Sequence, residues 1–294
     1  MRPNIVTSFL VSLLAVVGLS FVALNLRPAN REPADALVQR TLRVYCASGA
    51  AVPLSSVIEK FNQEFDANVE ITRTGGSGEL AGQIKAEFES QLTRGAEVCV
   101  SADEILIADA QSLGIVCEPV PIAFQLPVIA VPISSQFADL NLAQMIESTV
   151  FGVASERAAI GRTVRELAER EGMLDQLESS KKLDAENVMT LAQALATKSV
   201  EAAVVWDTTV HQINKNSNQG ILKSIAPADQ ENKTRSKIIA AVVANSRSAE
   251  LSKQFVQYLS ESEFSHKAFE DNGFHLYQPN PTFDSVTSID GNPE

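Results

Sequence analysis

Apolar and polar residues alternate along the chain in two periods, one typical of strands and the other typical of helices. Leu42 to Ala47 is a short run of β-formers, and the segment from Pro53 to Phe65 places its apolar residues on one helical face. Two further strands follow, Asn68 to Thr72 and Val98 to Ser101, with a second helical pattern between them. This order predicts an α/β fold with a parallel sheet covered by helices on both faces.

An apolar stretch punctuated by prolines interrupts the alternation between Pro119 and Val131. We interpret it as a crossing into a second lobe, where the strands Val150 to Ala154 and Ala202 to Trp206 again alternate with helices. A last strand, Ile238 to Ala244, and the helix Ala249 to Leu259 are predicted to return to the first lobe. The expected domains are a signal or anchor segment with its linker (1–40), a discontinuous first lobe (41–122 and 230–282), a second lobe (123–229) and a disordered tail (283–294).

The N-terminal segment is predicted to direct export, so we expect a periplasmic or other extracytoplasmic protein. A single basic residue, Arg2, precedes an uncharged apolar run from Ile5 to Leu24. That run exceeds the core of a usual signal peptide and approaches the roughly 20 residues that span a bilayer. Because the sequence from Phe21 to Asn25 contains no good cleavage site, an uncleaved anchor in the inner membrane is favoured, and cleavage stays open.

The charge balance disfavours nucleic acid as a partner. The chain has 36 acidic and 24 basic residues, a net charge of −12, and no basic cluster. Nucleic-acid binding depends largely on Lys and Arg that neutralise phosphates. A small anion is still compatible with this composition, because neutral donors and helix N-termini can bind one locally.

The cysteines and histidines do not form a metal-binding pattern. Cys46, Cys99 and Cys117 are widely spaced and odd in number, so at least one thiol is free, and one disulfide remains open. The three histidines include no i, i+4 pair and no neighbouring ligand cluster. We therefore expect no bound metal cation and no cofactor.

Two turns between a strand and a helix are rich in Ser and Gly, namely Ala47 to Ala50 and Gly75 to Gly78. Such turns expose backbone N–H groups at a helix N-terminus, where the helix dipole favours negative charge. Both lie at the carboxyl ends of strands, where open α/β sheets bind ligands. Ordinary helix caps have the same composition, so either turn alone is weak evidence.

Enzymatic motifs do not fit these turns. The segment Gly75 to Glu79 lacks the second glycine of a nucleophile elbow, and neither turn continues into the Gly-Lys-Ser/Thr of a P-loop. Cys46 lies in a strand among apolar residues, which favours burial over reactivity. We expect no catalytic residue and a protein that is not an enzyme.

Six short segments occur in the order and near the spacing of a known family. They are Val44-Tyr45-Cys46-Ala47-Ser48-Gly49, Gly76-Ser77-Gly78-Glu79-Leu80-Ala81-Gly82-Gln83-Ile84, Ser101-Ala102-Asp103, Ala159-Ile160-Gly161-Arg162, Glu186-Asn187-Val188 and Ala202-Ala203-Val204-Val205-Trp206. From Leu42 to Tyr277 the chain resembles the periplasmic molybdate-binding proteins of ABC transporters, within the two-lobed type 2 solute-binding proteins. The resemblance implies an α/β fold of the periplasmic-binding-protein type, each lobe a mixed, mostly parallel sheet flanked by helices.

The resemblance also implies a site in which uncharged N–H and O–H donors bind a tetrahedral oxyanion between the lobes. Ser77 matches one ligating serine of the family, and Gly49, preceded by Ser48, matches the other. The full expected set is Ser48, Gly49, Ser77 and Gly78 in the first lobe, with Ile160 and Val188 as backbone donors and Trp206 in the second. Trp206 stands where the family has a tyrosine, and Gly49 offers only its backbone N–H.

The implied function is capture of molybdate or tungstate by a monomer that delivers the anion to an ABC transporter permease. The alternative left open is a tethered sensor or binding module without a transport role, for a sulfate-like oxyanion or another small solute. The altered residues Gly49 and Trp206 and the long apolar N-terminus keep that alternative open.

Overall fold

The computed structural model describes residues 41–91, 95–217, 220–228 and 234–277. The predicted signal or anchor segment and the predicted tail lie outside these residues. Within them, no helix combines the length and the hydrophobicity needed to cross a membrane.

Strands and helices alternate through most of the described chain. The strands are β1 (Leu42–Ala47), β2 (Val69–Gly75), β3 (Val98–Ser101), β4 (Val116–Gln125), β5 (Pro127–Pro132), β6 (Phe151–Ala154), β7 (Leu183–Ala185), β8 (Ala202–Trp206), β9 (Leu222–Pro227), β10 (Ser236–Val243) and β11 (His275–Leu276). The helices are α1 (Ala51–Phe65), α2 (Ser77–Glu89), α3 (Glu104–Ser112), α4 (Leu142–Ser148), α5 (Ala159–Arg170), α6 (Leu174–Ser180), α7 (Val188–Ala196), α8 (Asp207–Lys215), α9 (Ala249–Glu261) and α10 (Glu263–Glu270). A 3-10 turn, Ser48–Ala50, joins β1 to α1.

The strands form two mixed sheets, one for each predicted lobe. The first has the order β11-β4-β10-β3-β1-β2 and the second the order β7-β6-β8-β5-β9. In the first sheet β1 is parallel to β2 and β3, whereas β10 is antiparallel to β3 and β4. The predicted two-lobed α/β fold is confirmed. The sheets contain more antiparallel pairs than the expected mostly parallel sheets would. The reason is that β4, β5 and β10, the strands that lead between the lobes, run antiparallel to their neighbours.

Helices cover both faces of the first sheet, as the strand and helix order predicts. Alternate residues of β1 belong to different cores, since Val44 and Cys46 pack on one side and Tyr45 on the other. Phe61 of α1 packs on the side of Val44, and Ile84 of α2 on the side of Tyr45. A separate apolar core underlies the second sheet. Each sheet is therefore a rigid base for the loops at its edge.

The chain crosses from the first sheet to the second at Leu126. Residues 123–125, which the sequence analysis assigns to the second lobe, belong to β4 and pair with β10, where Gln125 lies opposite Ser236. The strand β4 continues through this proline-containing stretch, paired with β10. The N–H of Leu126 donates to the Asp207 carboxylate (3.0 Å), and its carbonyl accepts from the N–H of Asp207 (2.9 Å).

All three cysteines are free thiols, so the disulfide left open by the sequence is not formed. Cys46 and Cys99 are buried, as expected for cysteines that pack as small apolar side chains. Burial raises the pKa of the Cys46 thiol strongly and that of Cys99 to about 12. Cys117 is only partly buried.

We expect a thiol reagent such as Ellman's reagent to modify about one thiol per native chain at pH 8, namely Cys117. The thiolate is the reactive form, and the raised pKa values of Cys46 and Cys99 suppress it. In guanidinium the count is expected to rise to three. A denatured count of one under non-reducing conditions would contradict the structure, since it would mean that two cysteines are paired.

Candidate ligand site between the two lobes

A cleft lies where the carboxyl-terminal ends of strands from both sheets face each other. It encloses a cavity of about 30 Å³. Its lining consists of Ala47, Ser48, Gly49, Gly75, Gly76, Ser77, Ala102, Gln125, Ala158, Ala159, Ile160, Asn187, Val188 and Trp206. None of these described residues carries a charge.

The structure brings six of the seven expected site residues together in this lining. Those from the first lobe are Ser48, Gly49 and Ser77, and those from the second are Ile160, Val188 and Trp206. The residues are up to 158 positions apart in sequence, so the cleft forms only when both lobes are folded and in contact. That these residues bind a ligand stays a prediction.

Gly78 is the expected site residue that lies outside this lining. Its N–H donates to the carbonyl oxygen of Arg157 in the second lobe (2.9 Å). A Cβ at this position would lie 2.6 Å from the same oxygen. The donor assigned to a ligand is thus engaged in a contact between the lobes, and the absence of a side chain permits that close approach.

The two serines of the cleft differ in what their hydroxyls do. Ser48 donates to the carbonyl oxygen of Gly75 (3.1 Å), which ties the first Ser/Gly turn to the second. Ser77 is buried, and its oxygen accepts from the N–H of Ala102 (3.2 Å). Among the described residues we find no acceptor for the hydroxyl hydrogen of Ser77. Ser77 is therefore the cleft hydroxyl with a proton available for a ligand.

The helix α7 presents an unused backbone donor at the cleft. Its N-cap, Asn187, accepts from the N–H groups of Met189 and Thr190 through its side-chain oxygen (3.0 Å each). The Asn187 side chain does not accept from the N–H of Val188, the first residue of the helix. Because Val188 also lines the cleft, its N–H is positioned as a donor, as the resemblance implies.

The helices α2 and α5 begin at the cleft without a side-chain cap. Their N-cap residues are Gly76, which has no side chain, and Ala158, whose methyl group cannot accept a hydrogen bond. The first N–H groups of a helix lack intrahelical partners. Ile160, second in α5, supplies one of these groups, and the dipoles of both helices add positive potential where they begin.

Trp206 belongs both to the cleft wall and to the apolar core of the second lobe. Its side chain is 2% exposed and packs within that core. No acceptor for its indole N–H is found within the described part of the chain. The ring is thus a core aromatic of the second lobe that also lines the cavity.

Contacts around the cleft join the two lobes. The guanidinium of Arg162, in α5, forms an ion pair with the nearly buried carboxylate of Asp103, the N-cap of α3. Burial lowers the pKa of Arg162. The Gln212 side-chain amide donates to the carbonyl oxygen of Gly49 (3.0 Å). Together with the hydrogen bond between Gly78 and Arg157, these contacts hold the two lobes closed over the cleft.

Gln125 is a cleft residue that the sequence analysis did not find. Its side chain is 1% exposed, and it comes from the end of β4. The available signal was that Gln125 is the one polar residue between Pro121 and Val131. A polar side chain in a buried crossing needs partners or a function.

Comparisons with known proteins agree with this architecture. The structure is similar to the periplasmic molybdate-binding protein of Azotobacter vinelandii, with 16% identity and a TM-score of 0.66 over 81% of this chain and 100% of that one. It is equally similar to iron-bound HitA of Pseudomonas aeruginosa, with 19% identity and a TM-score of 0.66 over 82% and 89% of the two chains. The sulfate-binding protein SubI of Mycobacterium tuberculosis aligns with 12% identity and a TM-score of 0.65 over 81% and 88%. Likeness at these identities shows the fold alone.

Sequence comparison identifies the family. No curated protein sequence matches the chain. The model of a family described as bacterial extracellular solute-binding protein matches residues 42–275, which include the whole cleft and both sheets except the last residue of β11. The chain belongs to the bacterial extracellular solute-binding proteins.

Proposed function

We propose that the chain binds a tetrahedral oxyanion, molybdate or tungstate, between its lobes and delivers it to the permease of an ABC transporter. The observation that carries this proposal is the donor set of the cleft. The Ser77 hydroxyl and N–H groups in the first turns of α5 and α7 converge there, and the lining contains no charged residue. Helix N-termini and uncharged donors are well suited to a fully ionised anion.

A cation is a poor fit to the same residues. The iron-bound neighbour shows that this fold also accommodates a metal. Transition metals in proteins are bound by imidazole, thiolate or carboxylate groups. The described lining contains no His, Cys, Asp, Glu or Tyr, so it offers donors to an anion and no such ligand to a metal.

The size of the cavity favours a small ligand. The neighbours include a periplasmic thiamin-binding protein and a protein with bound fructose-6-phosphate. On the scale on which one water needs about 10–15 Å³, the cavity of about 30 Å³ has little room beyond a tetrahedral ion. A two-ring or sugar ligand requires the lobes to stand further apart than they do in this closed form.

Protonation distinguishes among the oxyanions. Hydrogen phosphate carries a proton that needs an acceptor, whereas molybdate, tungstate and sulfate do not at neutral pH. A cleft of donors therefore disfavours hydrogen phosphate by leaving that proton unpaired. Sulfate has the same charge as molybdate in a smaller volume, so the distance between the donors on opposite sides of the cleft decides between the two ions.

Thermal unfolding with a panel of solutes tests the proposal. At 100 times the dissociation constant, molybdate or tungstate is expected to stabilise the protein by about 2.7 kcal/mol, which raises Tm by about 5–10 °C. Sulfate, phosphate, ferric citrate and thiamin complete the panel. A clear shift with thiamin or iron, and none with either metal oxyanion, would reject the assignment.

Replacing Ser77 by alanine is expected to weaken molybdate binding by about 10–150-fold. The change removes a hydrogen bond to a charged group, worth about 1.5–3 kcal/mol. Isothermal titration calorimetry measures the affinity. Ser55→Ala is the matched control, because the Ser55 hydroxyl is exposed on α1 and bonds only to the Ala51 carbonyl (2.8 Å). Equal affinities of the two variants would remove Ser77 from the site.

A further inference from the structure

Gln125 stands at the crossing between the two sheets with its side chain in the cleft wall. It ends β4 and pairs with Ser236 of β10, the strand that enters the first sheet from the second lobe. The side chain is almost fully buried and lines the same cavity as Ser77. A buried amide has two hydrogens to donate and an oxygen that accepts, and each one left unpaired costs free energy.

A chain of hydrogen bonds connects Gln125 to Ser77, and every donor in it points the same way. The Thr208 hydroxyl donates to the Gln125 amide oxygen (2.8 Å), and the amide nitrogen donates to the Ser236 hydroxyl (3.5 Å). Ser236 in turn donates to the carbonyl oxygen of Ala102 (2.7 Å). The N–H of Ala102 donates to the oxygen of Ser77 (3.2 Å). All five residues are buried.

The direction of these hydrogen bonds determines which polar groups remain available to a ligand. The Gln125 amide oxygen is occupied by Thr208, and one amide hydrogen faces Ser236. Within the described chain, the second amide hydrogen has no acceptor, nor does the hydroxyl hydrogen of Ser77. Both side chains line the cavity. The network therefore leaves two hydrogen donors for the cleft, while the Gln125 amide oxygen is directed at Thr208.

We propose that Gln125 is a ligand-binding donor and that Thr208 positions it, so that the cleft prefers oxyanions without a proton. This inference rests on the proposed function and names the residues that set its selectivity. A side-chain amide can present its nitrogen or its oxygen after rotation by 180°. The Ser236 hydroxyl gives its proton to Ala102, so it can only accept from the amide nitrogen. The Thr208 hydroxyl then donates to the amide oxygen and holds that oxygen at Thr208 rather than at the ligand.

Two substitutions separate the donor from the residue that positions it. Gln125→Leu removes the donor, and we expect the dissociation constant for molybdate to rise by about 10–150-fold. Thr208→Val keeps the shape of the side chain and removes the hydroxyl, so the amide is free to rotate and present its oxygen. We expect the ratio of phosphate to molybdate dissociation constants to fall at least about tenfold in this variant, because the rotated amide accepts the proton of hydrogen phosphate.

Thr209→Val is the matched control for Thr208→Val. Thr209 is the next residue of α8 and equally buried, and its hydroxyl has no partner within the described residues. Removing an unpaired buried hydroxyl is expected to leave stability unchanged or higher, and to leave the phosphate-to-molybdate ratio as in the wild type. Calorimetric titrations with sodium molybdate and sodium phosphate at pH 7, with circular dichroism melts of each variant, supply these measurements.

The outcomes distinguish this inference from the proposed function. A wild-type protein that binds none of the oxyanions defeats the proposed function and the inference with it. Oxyanion binding that Ser77→Ala weakens and Gln125→Leu leaves at the wild-type value supports the function and overturns the role of Gln125. If Gln125→Leu does not fold, the two threonine variants decide, since equal phosphate-to-molybdate ratios in Thr208→Val and Thr209→Val overturn the proposal.

Discussion

Replacing Gly78 by alanine is expected to keep the two lobes from closing fully and to weaken molybdate binding by about 5–150-fold. The new Cβ would lie 2.6 Å from the carbonyl oxygen of Arg157 in the opposite lobe. Overpacking against a close contact costs about 1–3 kcal/mol, which corresponds to that range of affinity. Calorimetric titration measures the loss. Small-angle X-ray scattering of the ligand-free variant tests the separation of the lobes independently. We expect a larger radius of gyration for the variant than for the wild type.

Gly82→Ala is the control within the same helix. Apart from its chain neighbours and the adjacent backbone of its own helix, no described atom lies within 4 Å of a Cβ at Gly82, which is exposed in the middle of α2. Alanine is expected to stabilise the helix by about 0.5–1 kcal/mol and to leave affinity unchanged. Wild-type affinity and wild-type dimensions in Gly78→Ala would show that the contact with Arg157 does not control closure.

Replacing Gly161 by alanine is expected to destabilise the protein by about 3 kcal/mol and to lower Tm by about 6–12 °C. A Cβ at Gly161 would overlap the carbonyl oxygen of Ser155 and lie 2.5 Å from that of Ala154. Both oxygens belong to backbone and cannot rotate away as a side chain would. The loop from β6 into α5 must shift, and with it the first turn of α5, where Ile160 lines the cleft.

Thermal melts monitored by circular dichroism check this expectation, with Gly82→Ala again as the comparison. The same change of residue type is expected to raise Tm at position 82 and to lower it at position 161. A Tm for Gly161→Ala within a degree of the wild type would mean that the loop has room to adjust. The close packing of α5 on Ser155 would then not be what positions the donors of the second lobe.

The fold was predictable because its determinants are local and periodic. The apolar face of α1 and the β-formers of β1 identify a helix and a strand without knowledge of any contact. The alternation of such elements implies sheets covered by helices, and the structure has them. The relative direction of β10 was less accessible, because it depends on a return from the second lobe through residues 228–236, whose sequence has no strong periodicity.

The candidate site was predictable in part. Ser77 lies in a Ser/Gly turn that the sequence displays, whereas Ile160 and Val188 were assigned through the family resemblance. The engagement of Gly78 with Arg157 could not be inferred, since those residues are 79 positions apart and belong to different lobes. Gln125 was missed for the same reason, because its partners Thr208 and Ser236 lie 83 and 111 positions away.

Contacts in the folded protein distinguish two chemically equivalent residues, Ser48 and Ser77. Both Ser48 and Ser77 lie in Ser/Gly turns after parallel strands, and the sequence gives each a hydroxyl for the ligand. Their hydroxyls differ only in the folded protein, where the carbonyl of Gly75 accepts the proton of Ser48 and the N–H of Ala102 leaves the proton of Ser77 available. The difference is one of hydrogen-bond direction, which depends on which backbone group the fold brings near.

The amino-acid sequence by itself determined the elements, the two-lobed α/β class and the membership in a family of solute-binding proteins, because periodicity, turn chemistry and short motifs are properties of neighbouring residues. Tertiary structure alone decided which donors remain free at the cleft and which contacts join the lobes. A hydrogen bond between the lobes requires two atoms about 3 Å apart, and only the packing of both cores on their sheets brings residues so distant in sequence to that separation.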